Sequence, residues 1–151
     1  MERSKIISEL SKYFKVKELV SNKVYAKYGE TSWRFFDTEF LHTLLVLRRD
    51  ILGVPLICNS GDNQQRGLRE NIAPMVWSKT NAGVMYLSAH CLGKGCDLSS
   101  PKMSAEEMRK AIVLKASLLP YKVRIEKDVT WLHIDVMCSP EQKEKVYFFK
   151  V

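Results

Sequence analysis

Apolar positions Ile6, Leu10 and Phe14 recur at helical spacing and predict an amphipathic helix from Ser4 to about Phe14. A second helix is bounded more sharply. Asp37 is a good N-cap, Glu39 lies in the positive first turn, and Phe40, Leu44, Leu47 and Ile51 form one apolar stripe. Gly53 and Pro55 supply the stop. Val54 to Cys58 then reads as a buried strand.

Between Asn59 and Asn81 the pattern is irregular and polar, with a short helix expected around Gln64 to Ile72. Met85 to Leu87 reads as another strand. Ser104-Ala105-Glu106-Glu107 is a capping box, opening a helix through Met108 and Ile112 to about Leu119, where Pro120 ends it. Val123 to Glu126, Thr130 to Val136 and Lys145 to Val151 alternate with the period of half-buried strands. Helices come first and strands cluster late. The expected fold class is therefore α+β, one domain over residues 1–151, with an antiparallel sheet packed on helices.

Composition bounds this picture without changing it. The chain has 151 residues, 46% hydrophobic and 27% charged, which is ordinary globular usage and excludes a disordered or low-complexity protein. No apolar run approaches the roughly 20 residues that span a bilayer, so membrane insertion is not expected. The N-terminal residues lack a continuous apolar core and a small-residue cleavage site, which predicts synthesis in a cytoplasm without a secretory signal. A net charge of +7 suits acidic partners such as a bacterial wall polymer. The basic residues are scattered and no nucleic-acid-binding signature occurs, so no nucleic-acid partner is expected. Cys58, Cys91, Cys96 and Cys138 contain no Cys-x-x-Cys pair and read as reduced, mostly buried small hydrophobes.

The candidate chemistry lies in the histidines. His42 falls inside the second helix and reads as structural. His90 belongs to Ser88-Ala89-His90-Cys91-Leu92-Gly93-Lys94-Gly95-Cys96-Asp97, where a reversal at Gly93 to Gly95 can bring the imidazole and the Asp97 carboxylate to one point. His133 lies in Trp131-Leu132-His133-Ile134-Asp135-Val136, and on a strand it shares a face with Asp135. Two histidines and one carboxylate are a common catalytic zinc set with a fourth position left for water.

Ser88-x-His90-x-x-Gly93-x-x-x-Asp97, followed downstream by Trp131-x-His133, resembles the signature of the zinc D-Ala-D-Ala carboxypeptidase family. That family includes vancomycin-resistance D,D-peptidases and phage endolysins, and shares its fold with the hedgehog signalling domain. The resemblance runs from about Leu52 to Val136 and takes in Asn59-Ser60-Gly61 and the helix from Ser104. It implies His90, Asp97 and His133 as ligands of Zn2+, Ser88 as a hydrogen-bonding support of the site and of substrate, and Asp135 as either a partner of a ligand or a polar strand residue.

The family also implies a general base a few positions before the last histidine, here Asp128 or Glu126. Asp128 is preferred because Asp128-x-x-Trp131-x-His133 matches the phage type. Asn63 stands where family members often carry an arginine, which leaves Arg66 and Arg69 to bind a substrate carboxylate or stabilise an oxyanion. Gly95-Cys96 replaces the more usual alanine and apolar pair. The resemblance thus implies a monomeric zinc peptidase hydrolysing peptidoglycan stem peptides, as a carboxypeptidase or an endolysin-type endopeptidase. The alternative is a catalytically silent, hedgehog-like binding domain that keeps the metal.

Overall fold

A computed structural model describes residues 1–151. Helix α1 (Arg3–Leu10) ends earlier than expected, where the Ser11 hydroxyl donates to the Ile7 carbonyl, although Phe14 beyond it is still buried. A 3-10 turn (Val16–Glu18) leads to α2 (Asn22–Tyr28) and a 3-10 stretch (Gly29–Phe35). The sequence pattern does not announce α2, because Val24 is the one residue it fully buries. The Ser21 hydroxyl caps it, accepting from the Val24 N–H.

Helix α3 (Thr38–Val46) starts as its sequence predicts. Asp37 accepts from the N–H groups of Glu39 and Phe40 at 2.9 and 3.2 Å. The rod widens into π-helical turns (Leu47–Leu52) and stops at Gly53, whose φ of 64° is left-handed. Phe40, Leu44, Leu47 and Ile51 all enter the main core, one cluster of 29 buried residues.

The middle of the chain departs from expectation. Residues 54–58 form no strand beyond a single antiparallel bridge, Ile57 with Ser99. Residues 64–72 are not helical, because their backbone N–H groups are taken by distant segments. Those of Arg66 and Gly67 donate to the Asn59 side chain, that of Leu68 to Leu19 and that of Arg69 to His90. The helix here is α4 (Pro74–Asn81), with proline in its first turn. Met85 to Leu87 forms no strand either: Met85 and Leu87 are exposed and have no ladder partner.

Four strands form one sheet: β1 (Gly95–Leu98), β2 (Val123–Glu126), β3 (Leu132–Asp135) and β4 (Val146–Phe149), in the order β1-β3-β2-β4. From sequence alone, β1 is legible only as the far side of the Gly93 to Gly95 reversal. Helix α5 (Ala105–Leu114) carries the expected capping box between Ser104 and Glu107, then gives way to a 3-10 turn (Ala116–Leu118). The fold class is α+β as expected, but the sheet is mixed: β1 and β2 flank β3 antiparallel, while β4 runs parallel to β2. The chain leaves β3 beside the start of β2, passes over that end and begins β4 there, so β4 opposes β3 and matches β2. No helix is long and apolar enough to cross a membrane.

Strand alternation divides the chemistry. Leu132, Ile134, Val123 and Ile125 join the apolar core. Asp97, His133, Asp135 and Arg124 stand on the opposite face.

Candidate metal centre

Asp97 and His133 are direct cross-strand partners in the β1–β3 register, which sets their side chains side by side. His133 Nδ1 lies 2.8 Å from Asp97 Oδ1. His90 arrives from the turn before β1. There the N–H groups of Cys91 and Leu92 donate to the Ser88 carbonyl, and the Ser88 hydroxyl accepts a further bond from Cys91 N–H at 3.4 Å. Ser88 therefore holds the His90 turn by local bonding. Gly93 closes the turn at φ 65°, and a Cβ there would meet the Phe35 carbonyl oxygen at 2.0 Å.

This geometry puts His90 Nε2 at 3.4 Å from Asp97 Oδ1, with the two imidazole centroids 5.2 Å apart. The candidate ligand atoms of His90, Asp97 and His133 all lie within 4.8 Å of one another, and all three residues are buried. The cluster can hold a metal ion.

The remaining valences of the three groups are occupied by protein. His90 Nδ1 lies 2.9 Å from the Gly67 carbonyl. A carbonyl only accepts, so Nδ1 carries the hydrogen and a neutral His90 turns its bare Nε2 toward Asp97. His133 Nε2 lies 2.7 Å from Asp135 Oδ2, which leaves Nδ1 for the cluster. Asp97 divides its oxygens: Oδ1 faces both imidazoles, and Oδ2 faces Arg69 Nη2 at 3.6 Å. A metal-ligating histidine typically gives its other N–H to a carboxylate or carbonyl in this way. The donor set and its outer partners fit a divalent ion.

Asp135 is fully buried and accepts from His133, from the Met137 N–H and twice from Arg124, at 2.8 and 3.0 Å. Burial works to raise its pKa, but the bonds from His133 and Arg124 hold it below the usual carboxylate range. Asp97 is likewise lowered against its burial, chiefly by the bond from His133. Burial alone would depress His133, yet its bonds to Asp135 and Asp97 carry it up to about 9 in the metal-free chain.

Two residues have supporting roles that the sequence does not mark. Asn59 is buried; its carboxamide oxygen accepts from the N–H groups of Arg66 and Gly67, and its nitrogen donates to the Val20 carbonyl. It thereby fixes the strip that offers the Gly67 carbonyl to His90 and the Arg66 carbonyl to the Asp97 N–H. Arg109 buries its guanidinium beneath the β2–β3 turn and donates to the carbonyls of Glu126, Val129 and Trp131. A lone asparagine before a Ser-Gly turn and an arginine amid helix charges carry no sequence signal for such roles.

The other expected residues are placed as follows. Arg69 is tied to Asp97, to the Gln65 carbonyl and to the Tyr86 hydroxyl, at 3.6, 2.6 and 2.7 Å. Arg66 points instead along the end of β1, 3.2 Å from Ser99 Oγ. Glu126 pairs with Phe149 across β2 and β4, and the Phe149 ring stands 5.6 Å from that of His133, so Glu126 shares the His133 face. Asp128 is not brought to the cluster. It sits at φ 63° in the turn, 61% exposed, 3.7 Å from Lys150, and lines a hollow with Arg109 and Phe148 on the α5 side. Gly95 is tightly placed, because a Cβ there would lie 2.6 Å from the Asp135 Cβ.

His42 lies edge-on to Tyr121, away from these groups. All four cysteines are free; Cys58 and Cys96 are buried, and Cys91 and Cys138 half-buried. The chain matches no family model, no curated protein and no solved structure.

Proposed function

We propose that the chain is a zinc-dependent peptidase acting on the stem peptides of bacterial peptidoglycan. One observation carries the reading. Three buried ligand atoms of zinc-binding type converge, while Gly67, Asp135 and Arg69 occupy the atoms that face away. Zinc, when bound by two imidazoles and one carboxylate, supplies a Lewis acid that polarises a scissile carbonyl and acidifies water.

The chain's own residues supply the rest. Asp135 keeps His133 in the tautomer that presents Nδ1, and Arg124 keeps Asp135 in place. Glu126, on the His133 face, is the better-placed acid to take a proton from water and return it to the leaving amine. This reverses the sequence preference for Asp128. Arg69, beside Asp97, orients that carboxylate, and its charge favours an anionic substrate group nearby. The peptidoglycan substrate and a phage-type source rest on the sequence resemblance, with the net positive charge suiting an anionic wall.

The test is incubation with purified peptidoglycan, with and without a chelator, followed by mass analysis of released fragments. The reading expects peptide fragments that disappear with chelation and return with zinc. Metal retention without any fragment would favour the silent binding domain.

A further inference from the structure

The segment leading into the metal cluster carries backbone groups that no other part of the protein uses. Val84 to Ser88 contains no helix, turn or bend, and its exposure alternates. Met85 and Leu87 are 84% and 63% exposed, while Tyr86 and Ser88 are half-buried. That is the pattern of a strand. Alternate residues of an extended chain turn their N–H and C=O groups to opposite edges. Val84 donates its N–H to the Lys79 carbonyl, and the Ser88 carbonyl accepts from Cys91 and Leu92, so the edge of Val84, Tyr86 and Ser88 faces the protein. Met85 and Leu87 turn theirs outward, and none of these groups has a protein partner. Tyr86 pins the segment in place. Its hydroxyl accepts from Arg69 Nη1 at 2.7 Å and lies 3.6 Å from Met75 Sδ, while Arg69 Nη2 faces Asp97. Leu87 precedes His90 by three residues, a span of at most about 10 Å.

We propose that this outer edge binds an extended peptide by strand addition, with the N–H and C=O groups of Met85 and Leu87 as its partners. A peptide in extended form offers complementary main-chain donors and acceptors at the same two-residue repeat. A helix does not, because its backbone groups are spent internally. The exposed side chains of Met85 and Leu87 then lie beside alternate side chains of the added strand, which favours apolar residues there. An unpaired edge is also a template for a second copy of the same chain, and the test separates that occupant from a peptide. As a substrate-binding edge the site rests on the peptidase reading, since the chain runs from it directly into the His90 turn. The pairing itself stands on the backbone alone.

The experiment uses the full chain, kept metal-free so that no cleavage intervenes, with amide shifts and hydrogen exchange read by NMR. The probe is an acetylated, amidated pentapeptide of alternating threonine and valine. The control is the same peptide N-methylated at every residue. Saturable shifts are expected with the probe, with exchange at Met85 and Leu87 slowed at least tenfold and that at Tyr86 less than twofold. The control is expected to bind at least tenfold more weakly. No saturation, equal binding of the control, or equal slowing at Tyr86 would each overturn the proposal. Leu87→Pro removes one outward N–H and keeps an apolar side chain, so it should weaken the probe at least tenfold, and unchanged affinity rejects the edge. Should that variant misfold, the N-methylated control on the parent chain decides. Slowed exchange at Met85 and Leu87 that grows with protein concentration in the absence of peptide would assign the edge to a second copy and overturn the proposal. Neither metal nor hydrolysis enters this assay, so its outcome is separate from that of the zinc peptidase reading.

Discussion

His133 Nε2 and Asp135 Oδ2 lie 2.7 Å apart on one strand, two residues from each other, with Arg124 closing on the far side of the carboxylate. Strand alternation makes that contact possible, and total burial of Asp135 makes it strong. The consequence is a histidine whose orientation is fixed before any ligand arrives. Asp135→Asn should therefore lower zinc affinity by roughly 10–100-fold while His90 and Asp97 remain in place. Competition titration against a chromophoric chelator reads the change, and unaltered affinity would show that Asp135 serves only the fold.

The choice between the two acids follows from sheet geometry. Glu126→Gln should lower hydrolysis by about 10²–10⁴-fold with zinc retained, the usual cost of losing a general base. Asp128→Asn should leave the rate within a few-fold, because its side chain lies exposed in the turn on the α5 side. The opposite ranking in kcat/KM, with both variants holding zinc, would return the role to Asp128.

Much of this site was legible from spacing. Spacing brings His90 toward Asp97 and sets His133 beside Asp135, because a glycine-permitted reversal and strand alternation are local properties; the choice of Asp97 as the converging carboxylate comes from the family resemblance. The mixed sheet was less accessible. Whether β4 runs parallel or antiparallel depends on the path of residues 136–145 past the start of β2, which the alternation of Val146 to Phe149 does not encode. The segment 64–72 departs from the expected helix for a related reason. Its backbone bonds go to Asn59, Leu19 and His90, all remote in sequence. The preference for Asp128 rests on its place in the turn before the His133 strand and on the motif spacing, and neither says which side of the sheet that turn reaches.

Gly67 gives a test of the strip that holds His90. A Cβ at this position would lie 2.1 Å from the Leu19 carbonyl oxygen, so the backbone must shift, together with the carbonyl that accepts from His90. Gly67→Ala should destabilise the fold by about 1–3 kcal/mol, the usual range for overpacking. Urea unfolding of the metal-free chain measures it; a midpoint equal to the parent's would mean that the strip yields freely.

The start of α3 offers a second stability test. Asp37 caps the helix and pairs with Lys94 at 3.0 Å, and these contacts outweigh its burial to lower its pKa. Asp37→Ala should cost about 1 kcal/mol, as for other lost N-caps. A lowered pKa gives stability that is present above the unfolded value of 3.8 and is lost as pH falls through the folded value. The difference between parent and variant should therefore shrink below pH 3.8 in thermal melts. A difference that grows with acidity would contradict the capping role.

The central claim is that His90, Asp97 and His133 form one metal site, and zinc stoichiometry tests it most directly. Metal-free chain is titrated with zinc against a competing chelator, alongside His90→Ala and His133→Ala, with circular dichroism confirming that each variant is folded. The account predicts one tightly bound zinc per parent chain and loss of that site in both variants. Undiminished zinc binding in either folded variant, or no binding by the parent, would contradict it.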